Sequence, residues 1–134
     1  MHLHHLALGA TDVEALAGFY AEVFLLPRVR EHRREDGSLR SIWLLLGESL
    51  LMVEAREDGE RERNGLQVPE PGWFLAVFRV EDEAAAESAC RRAVARGGRE
   101  THRTGFTRYL VDPEQNRVAV SHFPLDSFAS RASS

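Results

Sequence analysis

The 134-residue sequence contains no lysine; all 17 of its basic residues are arginine. Side-chain Schiff-base chemistry and a phosphate-loop lysine are therefore excluded. There is a single cysteine, Cys90, which rules out an intramolecular disulfide and a thiolate metal cluster. No apolar run approaches the roughly 20 residues of a membrane-spanning helix. The start of the chain lacks the basic segment and apolar core of a secretory signal. No membrane partner and a cytoplasmic location are the resulting expectations. An excess of positive charge is also missing: the formal net charge is −4, with signs interspersed, so no basic face for nucleic acid is expected. The run "VREHRRED" is basic at its centre, but Glu31, Glu35 and Asp36 offset it, and it reads as a solvated strand edge and turn. Nucleophile elbow, glycine-rich phosphate loop and zinc-finger spacing are all absent.

What is present is the composition of a globular domain, 43% hydrophobic and 28% charged. "LHHLALG" reads as a strand. "TDVEALAGFYAEVF" reads as a helix capped by Thr11 or Asp12, with Val13, Leu16, Phe19, Tyr20 and Val23 at helical spacing. Pro27 ends it. "RVREHRRE", "SIWLLLG" and "LLMVEA" read as three strands separated by the turns "DGS" and "ES". The order is β-α-β-β-β. After a charged stretch rich in glycine and proline, the pattern restarts. "WFLAVFRV" is a strand, "EAAAESACRRAVAR" a helix stopped by "GG", "RETHRT" a strand, and "TRYLVD" with "RVAVSHF" a hairpin. The expected organisation is one α+β domain over 1–134. Module one is 1–57, the linker 58–71, module two 72–125, and 126–134 a frayed tail. Neither small module buries its apolar face well alone, so modules must pair.

The double order, together with "HHLALGATDVEALAGFYAEVF" and "YLVDPEQNRVAV", resembles the vicinal oxygen chelate superfamily. That superfamily includes glyoxalase I, bleomycin-resistance and fosfomycin-resistance proteins and extradiol dioxygenases. The resemblance covers nearly the whole chain. It implies two tandem βαβββ modules forming curved, partly open mixed sheets around a cleft, and a homodimer. The scaffold hosts many chemistries, so it does not fix a reaction.

In metal-dependent members four strands each give one metal ligand. The matching positions here are His5, Glu54, Leu75 and Ala119. A tight transition-metal site usually takes at least three protein donors, and two of these four are aliphatic. The resemblance therefore implies a small-molecule-binding protein with a degenerate metal site and no cofactor. Its ligand would be a small, amphipathic or aromatic organic molecule. The alternative is a metal-dependent lyase, isomerase or dioxygenase of the glyoxalase type, with His5 and Glu54 as catalytic residues. Neighbouring ligand positions should lie side by side, so a direct or water-bridged His5–Glu54 hydrogen bond is expected. Trp43, Leu75, Tyr109, Ala119 and Ser121 are the expected ligand-binding residues. Trp73, Phe74 and Phe106 are further aromatics near the expected cavity. Arg79, Arg108 and Arg117 are candidates for greeting an anion, with solvated strand edges as their ordinary reading. Cys90 reads as an inert core thiol.

Overall fold

The computed structural model describes residues 3–56 and 75–124. The expected linker and tail, and Trp73 and Phe74, lie outside the described residues. Strand β1 (His5–Ala10) leads into helix α1 (Val13–Val23), followed by β2 (Arg28–Arg33), β3 (Leu39–Leu46) and β4 (Ser49–Ala55). The order then repeats as β5 (Ala76–Arg79), α2 (Glu83–Ala95), β6 (Arg99–Arg103), β7 (Thr107–Val111) and β8 (Arg117–Ser121). The strands form two four-stranded mixed sheets, ordered β1-β4-β3-β2 and β5-β8-β7-β6. In each, the first and last strands of the module pair in parallel and the others are antiparallel. This is the expected double βαβββ arrangement.

Both helices begin on the same chemistry. The Asp12 carboxylate accepts from the Ala15 N–H at 3.0 Å, and the Asp82 carboxylate from the Ala85 N–H at 2.8 Å. Each satisfies a donor that the first helical turn leaves without a partner. Gly97 closes α2 at a φ of 87°, a conformation that disfavours side chains. At Gly98 a Cβ would lie 2.6 Å from the Phe19 ring, so this glycine is what lets α1 approach the start of β6.

The helices lie between the sheets. α1 packs on β3 and β4, α2 on β6, β7 and β8, and the two helices pack on each other. One core follows, made of Leu16, Phe19, Val23, Ile42, Leu44 and Val53 from module one and Ala86, Ala93, Leu110, Val118 and Val120 from module two. Burying one such large apolar side chain contributes about 1.5–3 kcal/mol.

Polar contacts weld the modules. The fully buried Asp112 accepts from the Tyr20 hydroxyl at 2.9 Å, from the backbone N–H groups of Glu114 and Asn116, and from the Asn116 side-chain amide. Burial, reinforced by the Asp112 charge, pushes the Tyr20 phenol far above its ordinary range. The Glu114 carboxylate accepts from the N–H groups of Thr11 and Asp12 at the entry to α1. Arg92 on α2 donates to the last carbonyls of α1, Glu22 O at 3.0 Å and Val23 O at 2.8 Å. Phe24 stacks on Phe78 with ring centroids 4.0 Å apart. The "FY" and "DPEQN" stretches thus join the two halves structurally.

Candidate functional site

With the helices sandwiched inside, each sheet turns its other face outward. Alternation along the strands decides what stands there. On β1, Leu6, Leu8 and Ala10 face the helices, which leaves His5, Ala7 and Gly9 on the outer face. On β3, Ile42 and Leu44 are in the core, which leaves Ser41, Trp43 and Leu45 outside. The register then sets three outer rows. His5 stands beside Leu50 and Leu45; Ala7 beside Met52, Trp43 and Arg30; Gly9 beside Glu54, Ser41 and His32. An irregularity between Arg28 and Arg30 shifts β2 by one residue. Arg28 consequently reaches Glu14 on α1, whereas Arg30 and His32 join the outer face.

The middle row is apolar at one end and cationic at the other. The Arg30 guanidinium lies over the Trp43 ring, 5.4 Å from its centroid. The His32 ring sits 4.9 Å from the same indole. Neither Trp43 Nε1 nor His32 Nε2 has a hydrogen-bond partner, and both atoms are buried. Leaving such a group unsatisfied costs about 1–3 kcal/mol.

The second sheet's outer face is built likewise. Val77, Ala119, Tyr109 and His102 form one row, and Arg79, Ser121 and Thr107 the next. Ala119 is fully buried, Tyr109 half-buried, and the Ser121 and Thr107 hydroxyls are bonded at 2.8 Å. Leu75, half-buried, immediately precedes β5 and falls on the same side by alternation.

The fold brings all seven expected site residues to the outer faces as two groups, His5, Trp43 and Glu54 on the first sheet and Leu75, Tyr109, Ala119 and Ser121 on the second. It does not bring His5 and Glu54 together. His5 pairs with Leu50 and Glu54 with Gly9. The two are four positions apart, roughly 13 Å along the strands at about 3.3 Å per residue. The expected His5–Glu54 hydrogen bond is therefore not formed. The His5 ring instead meets His4, with Nδ1 atoms 2.9 Å apart. Glu54 was matched as the fourth-strand glutamate of the resemblance, in "LLMVEA", and the parallel β1–β4 register sets it away from His5.

Arg108 is a second correction. It stands in register with Val120, on the helix-facing side of β7, and is 7% exposed. There it is bonded to Glu83 and lies 3.8 Å from Glu100. It is a core cation and cannot greet a ligand on the outer face. The Arg108 guanidinium beside Glu83 holds that carboxyl below its ordinary range, with His122 at 3.2 Å adding to the effect. Burial pushes the Cys90 thiol up. The run "VREHRRED" is the exposed edge strand and turn expected, with His32 its half-buried residue. Arg30 and His32 were legible in it as an i, i+2 pair on one face, but the irregularity that selects that face was not.

The divalent cation of metal-dependent relatives needs at least three protein donors. Among the described residues no group of three or more His, Cys, Asp or Glu side chains comes together that could hold a metal ion. Leu50 and Met52 flank His5, and the matching positions of the second sheet are aliphatic or aromatic. These residues do not fit the ion.

The same architecture occurs in solved structures. The fosfomycin resistance protein FosX from Mesorhizobium loti superposes with a TM-score of 0.71 at 17% identity, over 97% of this chain and 98% of that one. A glyoxalase/bleomycin resistance protein/dioxygenase family enzyme from Burkholderia phytofirmans PsJN gives 0.67 at 22%, over 90% and 97%. A point mutant of FosX from Listeria monocytogenes, complexed with Mn(II) and 1S,2S-dihydroxypropylphosphonic acid, gives 0.69 at 17%, over 96% and 97%. No curated protein matches the sequence. At these identities the likeness shows the fold. The family model described as Glyoxalase/Bleomycin resistance protein/Dioxygenase superfamily matches residues 2–120, and the chain belongs to that superfamily.

Proposed function

We propose that the protein binds a small, largely aromatic organic molecule on the outer faces of its sheets, without a metal ion. The observation that carries this reading is the row Ala7, Met52, Trp43 and Arg30, an apolar floor with a cationic end where the donor set for a metal does not assemble. Small-molecule sites combine such surfaces with a few placed polar groups. Tyr109, Leu75, Ala119 and Ser121 would line the opposing wall. A joint acid–base role for His5 and Glu54 finds no support in their separation along the strands. The FosX relative that carries Mn(II) and a phosphonate shows what this fold can hold elsewhere.

The two outer faces of one chain point away from each other. A cleft with two walls then requires a second copy, so the reading includes a homodimer in which the first sheet of one chain faces the second sheet of its partner. Titration of 15N-labelled protein with indole, a neutral aromatic probe, tests the binding surface. Shifts should concentrate at Ala7, Trp43 and Met52 and at Tyr109 and Ala119. Shifts confined to helix residues, or none at all, would overturn the reading. Light scattering at micromolar concentration should give twice the mass of one chain; the mass of one chain would overturn the dimer.

A further inference from the structure

We infer that the Arg30–His32–Trp43 corner of the first sheet is the seat of an oxyanion head group on the bound molecule. This rests on the proposed aromatic-binding face and adds the charge and position of the ligand's polar end. Three nitrogen-bearing side chains neighbour one another here. The Trp43 indole N–H can only donate, and it is buried without an acceptor. His32 Nε2 is buried without a partner, with the His32 ring 4.9 Å from the indole. The Arg30 guanidinium rests on the indole face and makes no hydrogen bond or ion pair among the described residues.

In a folded protein buried donors without acceptors are few, and each calls for an explanation. An anion accepting from the Trp43 N–H and Arg30, and from His32 with its proton on Nε2, would supply one. Arg30 is the movable part. It is exposed and at the edge of its sheet, and a guanidinium offers a planar fork suited to a carboxylate or related oxyanion. From the indole face it can turn onto an oxyanion beside Trp43 and His32. The rest of the row fits an aromatic body behind that head, because Met52 and Ala7 continue the floor beyond Trp43. Glu54 is the acid on this face. It lies two strands from His32, with Ser41 between, roughly 9.6 Å at about 4.8 Å per strand. It therefore bounds the seat without occupying it.

The test compares 1-naphthoate with its neutral twin 1-naphthamide on the full-length protein, by calorimetry and by the indole N–H resonance of Trp43, assigned by its loss in Trp43→Phe. 1-Naphthoate should move that resonance downfield and bind about tenfold or more tighter than the amide, as a charge-assisted contact implies. Arg30→Gln should remove about tenfold of the naphthoate affinity and change that of the amide far less. Trp43→Phe keeps an aromatic ring and removes the donor, and should weaken naphthoate more than amide. Equal affinities for the two probes, an unmoved indole resonance, or unchanged naphthoate binding in both variants would overturn the oxyanion seat. If indole still shifts the outer face in that case, the aromatic-binding reading stands. If neither indole nor naphthoate shifts it, both fall.

Discussion

Tyr20 shows how one side chain joins the halves. Its hydroxyl donates to a carboxylate with no solvent exposure, and a hydrogen bond to a charged group contributes about 1.5–3 kcal/mol. Tyr20→Phe should lose that amount in urea unfolding while leaving the fold intact. The phenol also makes stability depend on pH at the alkaline end. Its folded value is raised above the ordinary 10.0, so above that pH the unfolded chain releases a proton that the folded chain retains. The contribution is complete below pH 10 and declines as pH rises past it. Thermal unfolding from pH 9 to 11 should show a steeper fall for the wild type than for Tyr20→Phe; parallel curves would mean the phenol is not held neutral by folding. Cys90 provides a separate check. It is 5% exposed and its thiol is pushed up by burial, so Ellman's reagent should react only after denaturant is added. At this scale the sequence revealed residue types better than partners. Tyr109 and Arg108 are neighbours in β7, so alternation puts them on opposite faces and the two cannot both line a cavity. One residue of strand phase separates a ligand-facing arginine from a buried one, and the sequence "RTGFTRYLV" leaves that phase open.

Elements were the most legible level. Thr11 or Asp12, and the acidic pair Glu81 and Asp82, marked the two helix starts, the structure choosing Asp12 and Asp82 as the caps, and "GG" marked the end of α2. Strand order within each sheet was less accessible, because it depends on long-range pairing. The parallel β1–β4 register is what separated His5 from Glu54. Nothing local in either strand specifies a slide of several residues between partners more than 40 positions apart. Where two elements meet closely, the expected effect of substitution is large. Gly98→Ala would drive a methyl to 2.6 Å from the Phe19 ring and 2.7 Å from the Val111 carbonyl oxygen. Overpacking of this kind costs about 1–3 kcal/mol, and the loss should appear as a lower urea midpoint with an unchanged slope. A neutral outcome would mean that α1 shifts away from β6 at little cost.

For the whole molecule, the sheet–helix–helix–sheet order decides where chemistry can occur. The helices occupy the interior, so the polar groups available to a ligand are those at the outer faces. Zinc, nickel, manganese or iron(II) should therefore leave the melting temperature nearly unchanged, and so should a chelator. A ligand present at a hundred times its dissociation constant would add about 2.7 kcal/mol to the folded state, a shift of several degrees for a domain of this size. Such a shift, abolished by His5→Ala, would show that a further donor completes a site around that histidine.

The contacts at the entry to α1 set a timetable for synthesis. The N–H groups of Thr11 and Asp12 are held by a carboxylate 103 and 102 positions downstream, and Tyr20 finds its acceptor 92 positions away. During translation the first helix therefore emerges long before the residues that secure it. Early in synthesis it has only its own cap and apolar stripe, and long-range closures of this kind come late and slowly. A nascent chain arrested before Asp112 leaves the ribosome should be open to proteases along the first module. One extended by a C-terminal linker long enough to carry Asp112 and Glu114 outside the exit tunnel should become resistant in a single step.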